Sequence, residues 1–528
     1  MVSRGIVLNK MICYGTFSNG INQEAYPMSP TTPAVPQESD RKRWLALIVL
    51  CTGFLMIILD QTIVNVALPS IKRDLNFSTA GLAWVINAYL IAFGGLLLLV
   101  GRLGDLIGRR RIFLAGLTVF TLASLLCGVA DSQALLIGAR FVQGIGGAMT
   151  SAVILGMIVT MFPAPVERVR AIGIYAFVAS AGGAVGLLAG GVLTQVLNWH
   201  WIFFVNLPIG IVTAVLSRRL LPDDRGLGLS EGADLLGALL LVSSLMIGVY
   251  AIVETSTYGW GSLHTLAFGG GAVALMAAFI VRQATAAQPL MALRVFRSRD
   301  VSGANVIQML MVAGIFGVFF LGALYLHQVL GYDPIEVGLA FLPVALGIAG
   351  MSLGVTARLI ERIGARLTLV PGLALVALGL FLFSGASDHA RYLPDLLPAL
   401  ASLGIGAGLA FPAVMTLAMS TATPEDSGLV SGLVNTSQQV GGALGLSVLA
   451  SLSSSHTSTL RAGGMSVAGS LTGGYHLAFE IGAIAVAAGL GLAIVLVRSP
   501  RAGRADLVVA SEDADEQPAE SAPLAQAA

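Results

Sequence analysis

The stretch Gly101-Arg-Leu-Gly-Asp-Leu-Ile-Gly-Arg-Arg-Arg111 lies between two long apolar runs and decides the fold. It places four arginines and one aspartate among residues that are otherwise glycine, leucine and isoleucine. Because arginine clusters cross a bilayer only at high cost, we expect this loop to stay on the cytoplasmic side of a membrane. The loop then sets the orientation of both neighbouring helices and of the helices that follow.

A second stretch, 358–366, repeats the pattern of the first. Six positions match at a single offset, which indicates a duplicated unit, and such internal symmetry is typical of transporters. The matched pairs, each 256 positions apart, are Arg102 with Arg358, Leu103 with Leu359, Asp105 with Glu361, Ile107 with Ile363, Gly108 with Gly364 and Arg110 with Arg366.

The composition points to the bilayer as the solvent for most of the chain. Of 528 residues, 56% are hydrophobic and only 11% are charged, whereas a soluble domain carries about 25% charged residues. The three cysteines are isolated and the six histidines form no metal-binding spacing. The sequence has no phosphate-binding Gly-x-x-x-x-Gly-Lys-Ser/Thr loop. We therefore predict no ATP-driven transport, enzymatic activity, cofactor, metal or nucleic-acid partner.

Fourteen apolar runs are long enough, at about 20 residues, to cross a membrane. They lie near 44–68, 79–100, 112–130, 134–157, 170–194, 202–221, 234–254, 265–282, 302–327, 337–357, 367–387, 394–419, 428–452 and 475–497.

The distribution of basic residues predicts that both termini are cytoplasmic. With that orientation, 24 of the 29 lysines and arginines lie inside and four lie outside, while Arg140 lies within the fourth run. The asymmetry agrees with the positive-inside rule, and one missed helix would destroy it.

The two arginine loops follow helices 2 and 10, so that two extra helices separate two six-helix units. The predicted fold is an all-α integral membrane protein of 14 transmembrane helices in a 6 + 2 + 6 order. We assign 1–40 to a disordered cytoplasmic tail, 41–222 to the first bundle and 223–300 to the inserted helices and a linker. The second bundle is 301–498, and 499–528 is a second disordered tail. An alternative start at Met28 stays open.

Several motifs resemble the major facilitator superfamily, and more narrowly its fourteen-helix drug:proton antiporters. The resemblance covers about 41–498. Besides the first loop, it rests on Leu59–Pro69 in helix 1, Arg140–Gly147 in helix 4, the glycines of Gly182–Gly191 in helix 5, Asn206–Pro208, and Ser431–Gln439 in helix 13. The chain departs from the family at Leu187, where a proline is usual, at His200 in Trp199-His-Trp201, and at His327, where a glutamine is common.

Asp60 is the first candidate for proton coupling. It lies about 24 Å along helix 1, past the midplane, and a charge there costs on the order of 3 kcal/mol. We expect it to bind a proton in one conformation and release it in another, and to attract cationic substrates. Arg140 is its expected partner, and the resemblance implies a role for this arginine in proton transfer. Alternatively, Asp60 is a structural carboxylate and Arg140 extends to a helix end.

Two further groups are candidates for conformational change. The resemblance implies that the loop residues Gly101, Asp105, Gly108, Arg109 and Arg110 form a latch that helps to hold the outward-facing state. Gly182, Gly186, Gly190 and Gly191 form a stripe that lets helices approach closely, either as a hinge between the bundles or as ordinary membrane packing.

Polar residues on helices 1, 2 and 13 are candidates for the substrate cavity, although interhelical hydrogen bonds would explain them equally well. They are Asp60, Gln61, Asn65, Asn87, Asn435, Gln438 and Gln439.

The sequence thus predicts a monomeric, proton-coupled antiporter that exports hydrophobic or cationic drugs or antibiotics across the cytoplasmic membrane. Its partners would be small-molecule substrates, protons and the lipid bilayer. The alternatives are a dedicated exporter of one endogenous metabolite, such as a self-made antibiotic or siderophore, and a membrane sensor that does not transport.

Overall fold

The computed structural model describes residues 40–495 except 225, 227, 229–231 and 421–426. In this part all regular structure is helical. The main helices are α1 (Asp40–Asp74), α2 (Thr79–Ile107), α3 (Arg109–Gly128), α4 (Gln133–Met161), α5 (Pro165–Val196), α6 (Trp201–Leu220), α7 (Leu235–Tyr258), α8 (Leu263–Thr285), α9 (Arg299–Gln328), α10 (Pro334–Gly350), α11 (Ala365–Ser384), α12 (Tyr392–Met419), α13 (Ser427–Ala462) and α14 (Val467–Val495). Both tails predicted to be disordered lie outside the described residues, apart from Asp40.

Twelve helices in the described part are long and apolar enough to cross a bilayer. The other two predicted spans fall on α10, which is shorter, and on α13, which is not among the twelve. Gly354, at φ 143°, interrupts the helix that follows α10, and α13 carries the polar run 435–439. The structure therefore supports an all-helical membrane fold, whereas the count of fourteen spans stays a prediction.

The duplicated loops adopt matching backbone conformations. Gly108 and Gly364 both have positive φ, at 111° and 85°, which glycine adopts without steric cost. Each glycine directly precedes a helix, α3 or α11. Arg110 donates to the carbonyl of Arg218 near the end of α6 at 2.6 Å, and Arg366 donates to that of Ile494 near the end of α14. Both arginines thus donate to a backbone carbonyl of another helix, and the one that Arg110 reaches lies in the last turn of α6.

We call α1–α6 the first half and α9–α14 the second half. The most extensive contacts between them are α2 with α13 and α5 with α10, and α1 also meets α9 and α10. We call the end of the bundle that carries Gly101–Arg111 the arginine end, and the other the opposite end. An added Cβ on Gly191 would lie 2.7 Å from the carbonyl oxygen of Pro334, and one on Gly338 would lie 2.6 Å from that of Leu187. Near the arginine end, Gly173 has nothing within 4 Å of such a Cβ. The α5–α10 contact is therefore closest at the opposite end.

Helices α7 and α8, which the sequence predicts to be inserted between the halves, lie beside the α2–α13 contact. Helix α7 packs on both α2 and α13. Ser451 on α13 donates to the carbonyl of Ile252 at 2.9 Å. Helix α8 packs on α7, where Ser244 donates to the carbonyl of Ala272 at 2.8 Å. Only 17% of the most apolar α8 window is buried, so that the exposed face of α8 suits contact with lipid.

Glycines bring α4 close to its neighbours. An added Cβ on Gly144 would lie 2.5 Å from the backbone oxygen of Tyr89 on α2, and one on Gly146 would lie 2.5 Å from the backbone nitrogen of Phe120 on α3. Both distances are shorter than real Cβ contacts. Helix α4 can therefore approach α2 and α3 only because these positions lack side chains.

Replacing Gly146 should separate α3 from α4. We expect Gly146→Ala to lower the unfolding temperature in detergent, because overpacking costs about 1–3 kcal/mol. The matched control is Gly138→Ala on the same helix, where nothing lies within 4 Å. There the better helix former should have a neutral or slightly stabilising effect. Equal melting of both variants would contradict the close-packing account.

Candidate functional site

A buried ion pair joins α1 and α4. Arg140 on α4 donates from Nη1 to Oδ2 of Asp60 on α1 at 2.5 Å. Asp60 is 0% exposed and Arg140 is 1% exposed. Removing two such charges from water is costly, and their attraction offsets this only when the remaining polar atoms are also hydrogen-bonded.

Neutral side chains complete the coordination of the Asp60 carboxylate. Gln143 on α4 donates to its Oδ1 at 2.7 Å, and Asn206 on α6 donates to the same oxygen at 3.1 Å. Gln143 also donates to Ser124 on α3 at 2.8 Å. The carboxylate of Asp60 thus joins α1, α4 and α6, and Ser124 adds α3 through its hydrogen bond with Gln143.

Arg140 has its own set of partners within the bundle. Its Nε donates to the carbonyl of Val85 at 2.9 Å, and its Nη1 also donates to Oε1 of Gln143 at 2.6 Å. The guanidinium carbon lies 4.4 Å from the ring centroid of Tyr89, a distance that suits a cation–π contact. In this conformation Arg140 therefore points into the bundle and does not extend to a helix end.

One member of this network, Gln143, could have been predicted from its spacing in the sequence. Gln143 lies three residues after Arg140, so both side chains project from the same face of α4. Asn206 entered the sequence analysis only as part of a family motif, and Ser124 did not enter it at all. Their convergence on Asp60 depends on how α3 and α6 pack, which spacing within one helix does not reveal.

The arrangement makes the two charges depend on each other. As an anion, Asp60 accepts three hydrogen bonds and balances the charge of Arg140. A proton on the carboxylate would remove that charge and leave Arg140 buried without its counter-ion. Because a buried unpaired charge is strongly unfavourable, the surrounding helices would have to rearrange.

The candidate cavity residues on α1 and α2 lie in different surroundings. Gln61 donates to the hydroxyl of Tyr89 at 3.4 Å, beside the ion pair. Asn65 bonds to carbonyls of its own helix. Asn87 is fully buried and donates to Ser447 on α13 at 2.8 Å, across the halves. The structure therefore brings only Gln61 close to Asp60 and Arg140.

The candidate cavity residues on α13 separate in a similar way. Asn435 is exposed, whereas Gln439 is buried opposite Gly94 of α2. Gln438 accepts a hydrogen bond from Gln308 on α9 at 3.2 Å. Polar residues of α9 therefore belong to this region, and the sequence analysis did not select them.

The candidate latch residues make their observed bonds mainly within the first half. Arg109 donates to Asp105 at 2.9 Å and to the carbonyl of Gly156 on α4 at 3.0 Å. Asp224 accepts from the backbone nitrogen atoms of Arg109 and Arg110 at 2.6 and 3.1 Å. The carboxylate of Asp224 thus caps the start of α3, a contact that the sequence analysis did not anticipate.

The glycine stripe on α5 faces two partners. Added Cβ atoms on Gly182, Gly186 and Gly190 would all meet α1, at residues from Leu55 to Ile63. Gly191 instead meets α10 in the other half. The stripe therefore packs the first half internally along most of its length, and Gly191 is its member at the contact between the halves.

Comparison with known proteins gives a family similarity over most of the chain. The sequence profile of the Major Facilitator Superfamily matches residues 50–446. The puromycin resistance protein pur8 of Streptomyces alboniger is 39% identical over 490 residues, covering 90% of this chain and 96% of that protein. The cephamycin export protein CmcT of Amycolatopsis lactamdurans is 39% identical over 416 residues, covering 78% and 85%.

A solved structure has the same fold. It is a bacterial homologue of the human lysosomal transporter Spinster in an inward-facing, unoccupied conformation. The TM-score is 0.63 at 17% sequence identity, with 87% of this chain and 98% of that chain covered.

Breaking the ion pair from one side should destabilise the protein more than removing both charges. We expect Arg140→Met to lower the unfolding free energy by about 3–5 kcal/mol, because Asp60 is left buried and unpaired. The double variant Asp60→Leu with Arg140→Met should recover part of this loss. Asp223→Asn, which removes an exposed partner of Arg110, should change stability by less than about 1 kcal/mol. Thermal unfolding in detergent measures all three, and an additive double variant would contradict the pairing.

Proposed function

Because the chain belongs to the Major Facilitator Superfamily, we propose that it is a proton-coupled antiporter that exports drugs or antibiotics across the cytoplasmic membrane. Its substrates would be hydrophobic and often cationic small molecules. The family and the similar proteins are transporters rather than enzymes. The names of two relatives, a puromycin resistance protein and a cephamycin export protein, support antibiotic efflux as the direction and substrate class.

The buried Asp60–Arg140 pair is the observation that carries the proposed proton coupling. Ionisable residues inside membrane helices are costly and rare, and they commonly mark proton or ion pathways. Here the carboxylate is in direct contact with a single cation and with two amides that can reorient. We propose that Asp60 takes up a proton from the outside and releases it to the inside.

The proposed coupling step is a change of partner for Arg140. Protonation of Asp60 would break the 2.5 Å ion pair, and Arg140 would turn toward acceptors that it already contacts, Gln143 and the carbonyl of Val85. Because Val85 lies on α2, this change of partner would shift α2 and so alter the α2–α13 contact between the halves. A membrane potential of 100 mV supplies roughly 2.3 kcal/mol for each charge that enters.

We propose that the arginine end faces the cytoplasm. The closer contact of α5 with α10 at the opposite end supports a conformation that is open toward the arginine end. Rocking of the halves about Gly191 and Gly338 would expose the cavity to the other side. Gln61, Asn65, Asn87, Asn435, Gln438 and Gln439 are the proposed cavity residues, and α7 with α8 would complete the 6 + 2 + 6 order.

A dedicated exporter of one compound is the second candidate. The cephamycin export protein among the relatives is named for a single antibiotic, which supports a narrow substrate range as an alternative. The ion pair would serve either transporter in the same way, so only a substrate panel separates the two.

Efflux measurements on Asp60 variants test the proposed function. In cells that express the wild type, we expect ethidium efflux that an uncoupler stops, and in Asp60→Asn we expect efflux to be lost or uncoupled, because the amide carries no titratable proton. Asp131→Asn is the matched control, since Asp131 is exposed at the opposite end. Uncoupler-sensitive efflux by Asp60→Asn at the wild-type rate would overturn the assignment of Asp60.

If the folded wild type does not move ethidium, a panel of structurally different antibiotics decides the substrate range. Protection against one antibiotic class alone would favour the dedicated exporter. Protection against several classes would favour the multidrug transporter.

Labelling of introduced cysteines tests the orientation. Ser132→Cys lies at the opposite end and Ala287→Cys at the arginine end, and both positions are exposed. Cys13 would be replaced by serine in both variants. The two remaining native cysteines, Cys51 and Cys127, are buried and should not react with the label. A membrane-impermeant maleimide should label Ser132→Cys in intact cells and Ala287→Cys only after permeabilisation. The reverse pattern would place the arginine end outside.

A further inference from the structure

His327 forms a hydrogen bond between the two halves at the opposite end. Its Nε2 lies 3.0 Å from Nη2 of Arg73. Arg73 belongs to the last turn of α1, and His327 belongs to the last turn of α9. The contact is therefore between the first helices of the two halves, at the end where Gly191 and Gly338 bring α5 close to α10.

The other ring nitrogen fixes the protonation state in which this bond forms. His327 Nδ1 lies 2.7 Å from the carbonyl oxygen of Tyr332. A carbonyl oxygen can only accept, so Nδ1 carries the proton. An arginine can only donate, so Nε2 must be an unprotonated acceptor. The Arg73–His327 bond therefore exists only with a neutral imidazole.

Protonation at Nε2 would turn this attraction into repulsion. It would set an N–H group against the guanidinium N–H groups and place two cations in contact. Histidine is the side chain whose charge ordinarily changes between about pH 5 and 8. A cavity of about 410 Å³ adjoins the pair, and its lining includes Arg73, Asn76, His327 and Gln328. The imidazole is half-buried, so water and protons can reach it from the opposite end.

The charged and titratable groups around His327 come from five segments. On α1, Lys72 donates to Thr79 at 2.8 Å, and Asp74 accepts from Trp199 at 2.8 Å. At the start of α10, Asp333 and Glu336 bond to each other's backbone nitrogen atoms in a capping box. Burial, followed by the nearby charge of Glu336, raises the pKa of Tyr332, so this phenol stays neutral. The remaining groups are Tyr475 on α14, which donates to Gln328 at 3.0 Å, and Asp388 and His389 on the connection 385–391.

A second polar contact joins the halves at the same end through an amide. Gln195 on α5 donates to Asp333 at 3.1 Å and accepts from the backbone nitrogen of Ile335 at 3.1 Å. Its amide keeps the same charge at any physiological pH. Of these two contacts at the opposite end, only the one at His327 contains a side chain that ordinarily changes charge between about pH 5 and 8, because aspartate carboxyls ordinarily ionise at about pH 4.

We propose that the Arg73–His327 hydrogen bond is a latch between the halves and that protonation of His327 opens it. This latch at the opposite end is distinct from the latch predicted in the loop at the arginine end. The proposal rests on the antiport function proposed above and adds a second proton-responsive residue to it. External acid would favour opening of the exit side, where substrate leaves and Asp60 takes up its proton. His327 acts on the position of the halves and not on the substrate.

Distance measurements between spin labels test the latch without requiring transport. Labels at Ser132→Cys and Met465→Cys lie on exposed connections of the two halves at the opposite end. In wild-type protein with Cys13 replaced, we expect the population with longer distances to rise roughly two- to tenfold between about pH 8 and pH 5.5, as one hydrogen bond is lost. His327→Gln keeps an acceptor for Arg73 at every pH, so it should lose this response.

Two other variants should fix the latch in the open state. His327→Lys mimics the charged ring, and Arg73→Met removes the donor, so both should show the longer distances at about pH 8. His389→Gln is the matched control, because His389 lies at the same end and bonds locally to Ser387, and it should keep the wild-type response. A full pH response in His327→Gln, or its loss in His389→Gln, would overturn the latch.

The outcomes separate the latch from the antiport function. A latch that responds to pH in a protein that moves no drug would refute the proposed function and leave the latch in place. Conversely, proton-driven efflux with an unchanged pH response in His327→Gln would refute the latch alone.

Discussion

The pairing of one carboxylate with one guanidinium in an otherwise apolar bundle constrains the whole first half of the molecule. Neither charge can be buried alone, so α1 and α4 must place Asp60 and Arg140 within hydrogen-bond distance. Helices α3 and α6 must then supply Ser124 and Asn206 for the remaining contacts. The glycines of α4 let it lie close against α2 and α3, which carry Val85 and Ser124 of the same network.

The contacts between the halves have a different character from those within them. Within a half, apolar packing and a charged pair hold helices in place. Between the halves, the close contacts are glycine against backbone at Gly191 and Gly338 and a few hydrogen bonds. The hydrogen bonds that involve the charged groups of Arg73 and Asp333 are exposed to solvent. Such contacts can separate without leaving a buried unpaired charge, which suits two bodies that rock against each other. A buried ion pair thus holds helices together within the first half, whereas the contacts between the halves contain no buried ion pair among the described residues.

Much of the fold could be predicted from the sequence, because a membrane helix must satisfy its backbone internally and be apolar over about 20 residues. The matched loops also predicted the repeat, and Gly108 and Gly364 share the positive φ that their motif requires. The site was only partly predictable. Asp60 and Arg140 were identifiable as charged residues within apolar helices. Ser124 and Asn206 belong to the same hydrogen-bond network only because helices distant in sequence pack together. Asn435, Gln438 and Gln439 share one helical run, yet they differ in burial because α13 contacts α2 and α9 on different faces.

Proton movement in proteoliposomes tests the central claim, that the Asp60–Arg140 pair couples protons to substrate, most directly. Purified protein would be reconstituted with a trapped pH-sensitive dye, and an ethidium gradient would be imposed across the vesicle. The account predicts that the wild type moves protons against the flow of ethidium, and that Asp60→Asn moves none even where ethidium still crosses. Proton flux at the wild-type rate in Asp60→Asn would contradict the account.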